Sequence, residues 1–173
     1  SYEPNYHGHK LAREDVVVVS VAYRVGAFGF LSHAEIPPED AIANFALWDL
    51  IASLQWVQQN IAKFGGDPGR VTMFGEASGA ENILALMFAA GADGLFHRAI
   101  LESTAGYGLR RSPSLADEQQ RGRDLAAIMG FEGDDLIASL RLVPADKLLQ
   151  AYEEAFPDYY HSPAVDGPLL LPS

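Results

Sequence analysis

The run Asp15–Tyr23, DVVVVSVAY, constrains this chain's fold more than any other stretch. A strand with one wet face alternates apolar and polar residues. A β-branched run without alternation reads instead as a strand buried on both faces, as in a parallel sheet. Parallel strands need long crossovers, usually helices, and the following sequence has the pattern for them. Arg24–Asp40 reads as a loop with glycines at 26 and 29 and prolines at 37 and 38. From about Asn44 to Lys63, the residues Leu47, Leu50, Leu54, Val57 and Ile61 recur at spacings of three and four, which marks one helix face. Paired glycines and an Asp-Pro turn in Phe64–Arg70 end that helix. Val71–Phe74 reads as a short strand and residues 78–90 as a helix closed by Gly91, whose later part is apolar throughout and therefore buried. His97–Ser103 reads as a third strand.

The remainder is mostly helical. Ser114 with Asp117 has the form of a capping box, opening a helix to about Met129 with Gly130 closing it. A shorter helix is expected near Asp134–Leu142 and another from Pro144. The tail, His161–Ser173, carries three prolines and reads as extended. The alternation predicts an α/β fold with parallel strands and helices on both faces.

A length of 173 residues suits one domain with a real core. Twelve Lys and Arg against 23 Asp and Glu give a net charge of −11. That balance argues against nucleic-acid and anionic-membrane partners, which need a basic face. With no cysteine, disulfides, thiolate chemistry and Cys-based zinc sites are excluded. No apolar stretch approaches the roughly 20 residues of a membrane span. The composition fits a soluble protein, cytoplasmic or secreted.

Val71–Asn82, VTMFGEASGAEN, has the form of a strand turning sharply into a helix. That turn presents a nucleophile when it reads G-x-S-x-G. Here it reads Gly75-Glu76-Ala77-Ser78-Gly79, with alanine at the middle position and serine one step late. Taken with DVVVVSVAYRVGAFGFLS, NFALWDLIASLQWVQQNIAKFGGDPGRVTMFGE, GLFHRAILES and VDGPLLLP, in order and in register, the sequence resembles the type B carboxylesterase family of the α/β-hydrolases from near Tyr6 to Pro172. The resemblance implies that residues 1–173 are a single, incomplete α/β-hydrolase domain, a central part containing the elbow and lacking flanking N- and C-terminal parts. It implies hydrolysis of a small-molecule carboxylic ester through a serine acyl-enzyme, with no cofactor or metal. Most oxyanion donors, the acid and the base would come from sequence outside the chain. The alternative is a non-catalytic, esterase-like binding or adhesion module, which alanine at the elbow favours. Three features depart from the family pattern: the reversed Ala77-Ser78, Ala22 for asparagine before Tyr23, and Leu50 for glutamine after Asp49.

By that resemblance Ala77 occupies the nucleophile position, which the turn aims at substrate, and the N–H of Ser78 is an oxyanion donor. Ser78 itself has two open roles. It is either a displaced nucleophile, one helical step or about 100° away, or a cap on the helix start. Glu76 and Ser103 would support the site from behind. Glu76 and Asp49 are expected to be structural, one or both paired with Arg24. His7 and His9 read as an exposed loop pair rather than metal ligands. Asp158 and His161 follow Ser78 in the order Ser, Asp, His, but as a local pair in a Tyr-rich loop. GEASGAEN lacks the Lys of a phosphate-binding loop, and GAFG is no dinucleotide fingerprint. Trp48 and Trp56 are expected in the core. The resembled fold places a strand from earlier sequence between Val16–Tyr23 and Val71–Phe74. Without it, each unpaired backbone group in an apolar interior costs about 1–3 kcal/mol, so the remainder of the domain is needed for folding. The isolated segment is expected to be insoluble or molten.

Overall fold

The computed structural model describes residues 7–37, 41–104, 112–167 and 169–170. Parts of the expected 24–40 loop and of the tail lie outside them. The described helices are α1 (Gly26–Phe30), α2 (Phe45–Asn60), α3 (Ser78–Leu86), α4 (Leu115–Ile128), α5 (Leu136–Leu142) and α6 (Ala145–Ala155), and the strands are β1 (Thr72–Glu76) and β2 (Arg98–Glu102). None of these helices is long and apolar enough to cross a membrane.

The two strands pair in parallel, with Met73 opposite Ala99, Phe74 opposite Ile100 and Gly75 opposite Leu101. α3 lies on one face of the pair. The approach is close because Gly75 has no side chain, and a Cβ there would stand 2.8 Å from the backbone of Gly79 and 3.0 Å from Ile83. The other face is open, with Phe74 54% and Ile100 51% exposed.

Asp15–Tyr23 departs from the expected buried strand. Residues 16–25 have no ladder partner among the described residues. Val16, Val17 and Val19 are exposed, whereas Val21 and Tyr23 pack on the core. A strand exists only where a neighbour takes its hydrogen bonds, and no described residue pairs with residues 16–25 in a ladder. Part of the expected 24–40 loop is helical, as α1. The helix expected over residues 78–90 stops at Leu86, and Met87 and Phe88 beyond it are exposed rather than buried.

α2 follows its pattern. Leu47, Leu50, Leu54, Val57 and Ile61 are all buried. Trp48 packs partly against this core, but Trp56 is 46% exposed, beside the ring of Phe64. Ser114 and Asp117 form the expected capping box at the start of α4. Two apolar clusters result. One joins α2, α3 and Leu169–Leu170, and the other joins α1, α4, α5 and α6.

Asn44 ties the tail to α2. It is fully buried with a left-handed backbone (φ 56°). Its amide donates to Ala164 O at 2.8 Å and to Asp166 Oδ2 at 2.9 Å, and its Oδ1 accepts from Ala164 N–H at 2.7 Å. Asp166 in turn accepts from the N–H groups of Leu169 and Leu170.

Candidate functional site

The bend between β1 and α3 is made by one residue. Ala77 has φ 49° and ψ −117°, a region that side chains with a Cβ rarely occupy. The Ala77 N–H donates to Glu102 O at 3.0 Å, which continues the ladder into the turn. β2 ends in the same way, as Ser103 also takes a positive φ of 56°. Since Glu76 lies opposite Glu102, Ala77 and Ser103 emerge side by side at the carboxyl end of the pair. Open α/β sheets bind ligands at that edge.

Ser78 is the first residue of α3, and the N-cap position falls on Ala77. The capping role considered for Ser78 is therefore not the observed one. Ser78 is exposed, and its hydroxyl has no hydrogen-bond partner among the described residues. N–H groups in a helix's first turn have no intrahelical acceptor, so those of Ser78 and Gly79 have no partner within α3.

Ser78 and not Ala77 lines the adjoining cavity of about 230 Å³. A single helical step, about 100°, separates the directions of the two side chains. Glu81 and Asn82 share this wall because positions three and four residues on lie on the same helix face. The opposite wall comes from Tyr23, Val25 and Gly26, from Phe30 of α1, and from Tyr159–His161 with Pro163. Asn82 Nδ2 donates to Tyr23 Oη at 3.3 Å, and Tyr160 Oη donates to Glu81 Oε2 at 3.3 Å.

His161 is clamped by rings. Tyr152 and Phe30 stack near-parallel to it at centroid distances of 5.3 and 6.1 Å, and Tyr159 meets it edge-on at 5.2 Å. Burial, with a smaller contribution from Arg121, lowers its pKa below the usual histidine value and favours the neutral ring. Behind the rings lies a buried polar cluster. The Tyr159 hydroxyl donates to Glu118, and the Arg121 guanidinium sits 3.4 Å from the centre of the Tyr159 ring. Burial raises the Glu118 carboxyl above the usual range.

The other candidates are spread out. Asp158 is exposed and does not line the cavity, so the considered Ser-Asp-His order is not assembled as a triad. Arg24 grips Asp49, with Nε and Nη2 donating to the two carboxylate oxygens at 2.8 and 2.7 Å. The backbone N–H of Arg24 adds a third bond at 2.9 Å. The pair faces solvent rather than being buried, with the Arg24 side chain 50% exposed. The Arg24 hydrogen bonds hold the Asp49 carboxyl below its ordinary pKa. His7 and His9 are exposed with ring centroids 6.4 Å apart. Among the described residues no group of three or more His, Asp or Glu gathers as a metal site. A larger open groove of about 440 Å³ lies between α4 and α6, and no serine or histidine lines it.

Sequence reasoning missed Glu81, Asn82, Tyr23 and Tyr160. The first two left a signal, as two polar residues three and four positions after Ser78 in an otherwise apolar helix.

The sequence and the fold are shared with known proteins. The sequence matches the model of the carboxylesterase family over residues 1–173. It is 43% identical over 150 residues to Cholinesterase 1 of Branchiostoma lanceolatum, covering 83% of this chain and 41% of that protein. It is 41% identical over 155 residues to the para-nitrobenzyl esterase of Bacillus subtilis, covering 88% and 30%. A solved PNB esterase superposes with a TM-score of 0.86 at 32% identity, covering 99% of this chain and 37% of that one. A Geobacillus stearothermophilus carboxylesterase gives 0.84 at 37% identity, covering 98% and 36%. The chain thus spans well under half the length of these relatives. The match to the family model along the whole chain, with solved esterases superposing on it at TM-scores of 0.84 and 0.86, places this protein in the carboxylesterase family with an α/β-hydrolase fold.

Proposed function

We propose that the chain carries the nucleophile-bearing part of a carboxylic-ester hydrolase that works through an acyl-enzyme, with Ser78 supplying the hydroxyl that Ala77 lacks. The observation that carries this reading is the Ser78 hydroxyl. It is exposed, unpartnered among the described residues, and set in a cavity wall at the carboxyl end of the parallel pair. First-turn N–H groups of α3 serve the developing oxyanion. The aromatic and aliphatic opposite wall suits the acyl or alkyl part of a small neutral ester. Glu76 and Ser103, at the ends of β1 and β2, hold the bend in place.

Further polypeptide is proposed to complete the domain. Phe74, Ile100 and the valines at 16, 17 and 19 are exposed apolar residues beside a sheet of two described strands. Open apolar surface of this kind is normally covered.

A second reading is a non-catalytic binding module. It is favoured by alanine at the bend, where a nucleophile would be held most rigidly. Initial rates of p-nitrophenyl acetate and butyrate hydrolysis by the natural full-length protein separate the two readings. The hydrolase reading expects turnover that Ser78→Ala lowers at least about 10³-fold, the scale of losing a serine nucleophile. Equal rates in Ser78→Ala refute it. The exchange Ala77→Ser with Ser78→Ala rebuilds G-E-S-A-G. Activity appearing only in that exchange would favour the binding module on an otherwise intact scaffold.

A further inference from the structure

We propose that His33 and Glu35 form a proton-operated latch on the amino end of α5, closed while the imidazole is neutral and opened when it takes a proton. The latch is independent of the hydrolase reading.

The start of α5 is held from far away in the sequence. Its N-cap residue, Asp135, makes no side-chain cap hydrogen bond. The acceptor comes instead from Glu35, 102 positions earlier, whose Oε2 accepts the N–H of Ile137 at 2.9 Å. A helix of seven residues does not persist without tertiary support. Here that support comes from Glu35 and from Leu140, which is buried in the cluster joining α5 to α1, α4 and α6.

The same carboxylate stands 3.9 Å from Nδ1 of His33. The imidazole is 2% exposed, and α4 lies against it, for a Cβ on Gly122 would stand 3.1 Å from His33 Cδ2. Nδ1 accepts the N–H of Glu35 at 3.2 Å, so the neutral ring carries its proton on Nε2. A proton arriving at Nδ1 turns that acceptor into a donor, and two donors then face each other across 3.2 Å. The Glu35 carboxylate is the anion beside the new imidazolium. Nε2 is buried without a hydrogen-bond partner among the described residues and offers no alternative contact. Closing the 3.9 Å gap to the length of a charge-assisted hydrogen bond moves the carboxylate by about 1 Å and draws it off the Ile137 N–H. The amino end of α5 then loses its acceptor.

The surrounding groups decide where the latch opens. Burial lowers the pKa of His33, the Glu35 charge opposes that, and Arg123 of α4 adds to it. Asp134 and Asp135, just before α5, are exposed. The folded ring therefore takes its proton below the ordinary histidine value of about 6.5. α1 shares the α5 cluster through Ala27 and lines the 230 Å³ cavity with Gly26 and Phe30, so an open latch loosens the packing behind that wall.

The test is amide hydrogen exchange of the natural full-length protein from pH 7.5 to 5, read by mass spectrometry on peptides covering α5 and corrected for intrinsic exchange rates. Protection over residues 137–142 should hold above pH about 6.5 and fall on acidification, by up to about tenfold per pH unit for uptake of one proton. His33→Gln keeps an acceptor for the Glu35 N–H but does not titrate, so its α5 protection should stay flat. Glu35→Gln still accepts the Ile137 N–H without a charge to attract the imidazolium, so its loss of protection should move to lower pH. Glu35→Ala should lower α5 protection about fivefold or more even at pH 7.5, the scale of one hydrogen bond. Wild-type protection that is flat across the range overturns the latch. So does an acid loss in folded His33→Gln as large as in wild type, or α5 protection indifferent to Glu35→Ala. Should His33→Gln fail to fold, the two Glu35 variants decide: an acid loss unmoved in Glu35→Gln likewise overturns it.

Discussion

Replacing Ala77 by glycine tests whether the bend is strained, and its effect can be worked from the backbone. At φ 49° and ψ −117° an alanine carries a Cβ where sterics disfavour it. Such positions cost about 1–3 kcal/mol. Glycine adopts the same angles without penalty but widens the unfolded ensemble, which costs about 0.4–1 kcal/mol. The difference leaves Ala77→Gly more stable by about 1 kcal/mol. In a domain of this size that raises Tm by roughly 2–4 °C. The methyl group at 77 is exposed, so its loss removes little packing. Differential scanning calorimetry or urea unfolding of the natural protein reads the change directly. A loss of about 0.5–1 kcal/mol, the ordinary cost of glycine in regular structure, would show that residue 77 is not strained.

Other sites follow the same logic. Asn44→Ala removes three buried hydrogen bonds and leaves Asp166 partly unpaired, so a loss of about 3 kcal/mol is expected by chemical denaturation. Gly122→Ala places a Cβ 2.1 Å from Ser32 O, so α4 must shift. The expected loss is about 3 kcal/mol or more, and an unchanged melt would show that α4 does not pack there. Arg24→Met removes a solvent-facing pair and should cost only about 1 kcal/mol at neutral pH. Because the folded Asp49 pKa is depressed, that contribution is present above the unfolded pKa and fades as pH falls through the folded one. The difference between wild type and Arg24→Met should therefore shrink as pH falls below the unfolded Asp value of about 3.9 and vanish once the folded carboxyl is protonated. Burial also lowers the pKa of His33 and of His161. Stability is then full above the unfolded histidine value near pH 6.5 and declines as pH falls through the folded values, which urea midpoints from pH 7.5 to 5 would follow.

Local patterns were the legible part of this fold. The face of α2, the Ser114–Asp117 box and the β1–bend–α3 unit are written within a few residues each, and all three are present. The valine run at 16–19 was not, because strand formation depends on a ladder partner and no described residue pairs with it. Trp56 was misjudged although its position was readable, since it falls off the face set by Leu47, Leu50, Leu54 and Val57. Met87 and Phe88 are apolar, but they lie past the last residue of α3, where no packed face holds them. The site divides in the same way. The one-residue displacement of serine was plain in GEASG, whereas the cavity required Tyr23, Ser78 and His161 to meet across the fold. No local spacing records such a meeting. The Tyr159–Glu118–Arg121 cluster behind His161 is likewise long-range, joining α4 to the segment after α6.

A crystal structure of the natural protein after fluorophosphonate treatment tests the account most directly. It should show phosphorus bonded to Ser78 Oγ, a positive φ at Ala77, and the phosphonyl oxygen within hydrogen-bond reach of the first-turn N–H groups of α3. An unmodified Ser78 hydroxyl, with the reagent elsewhere, would contradict it.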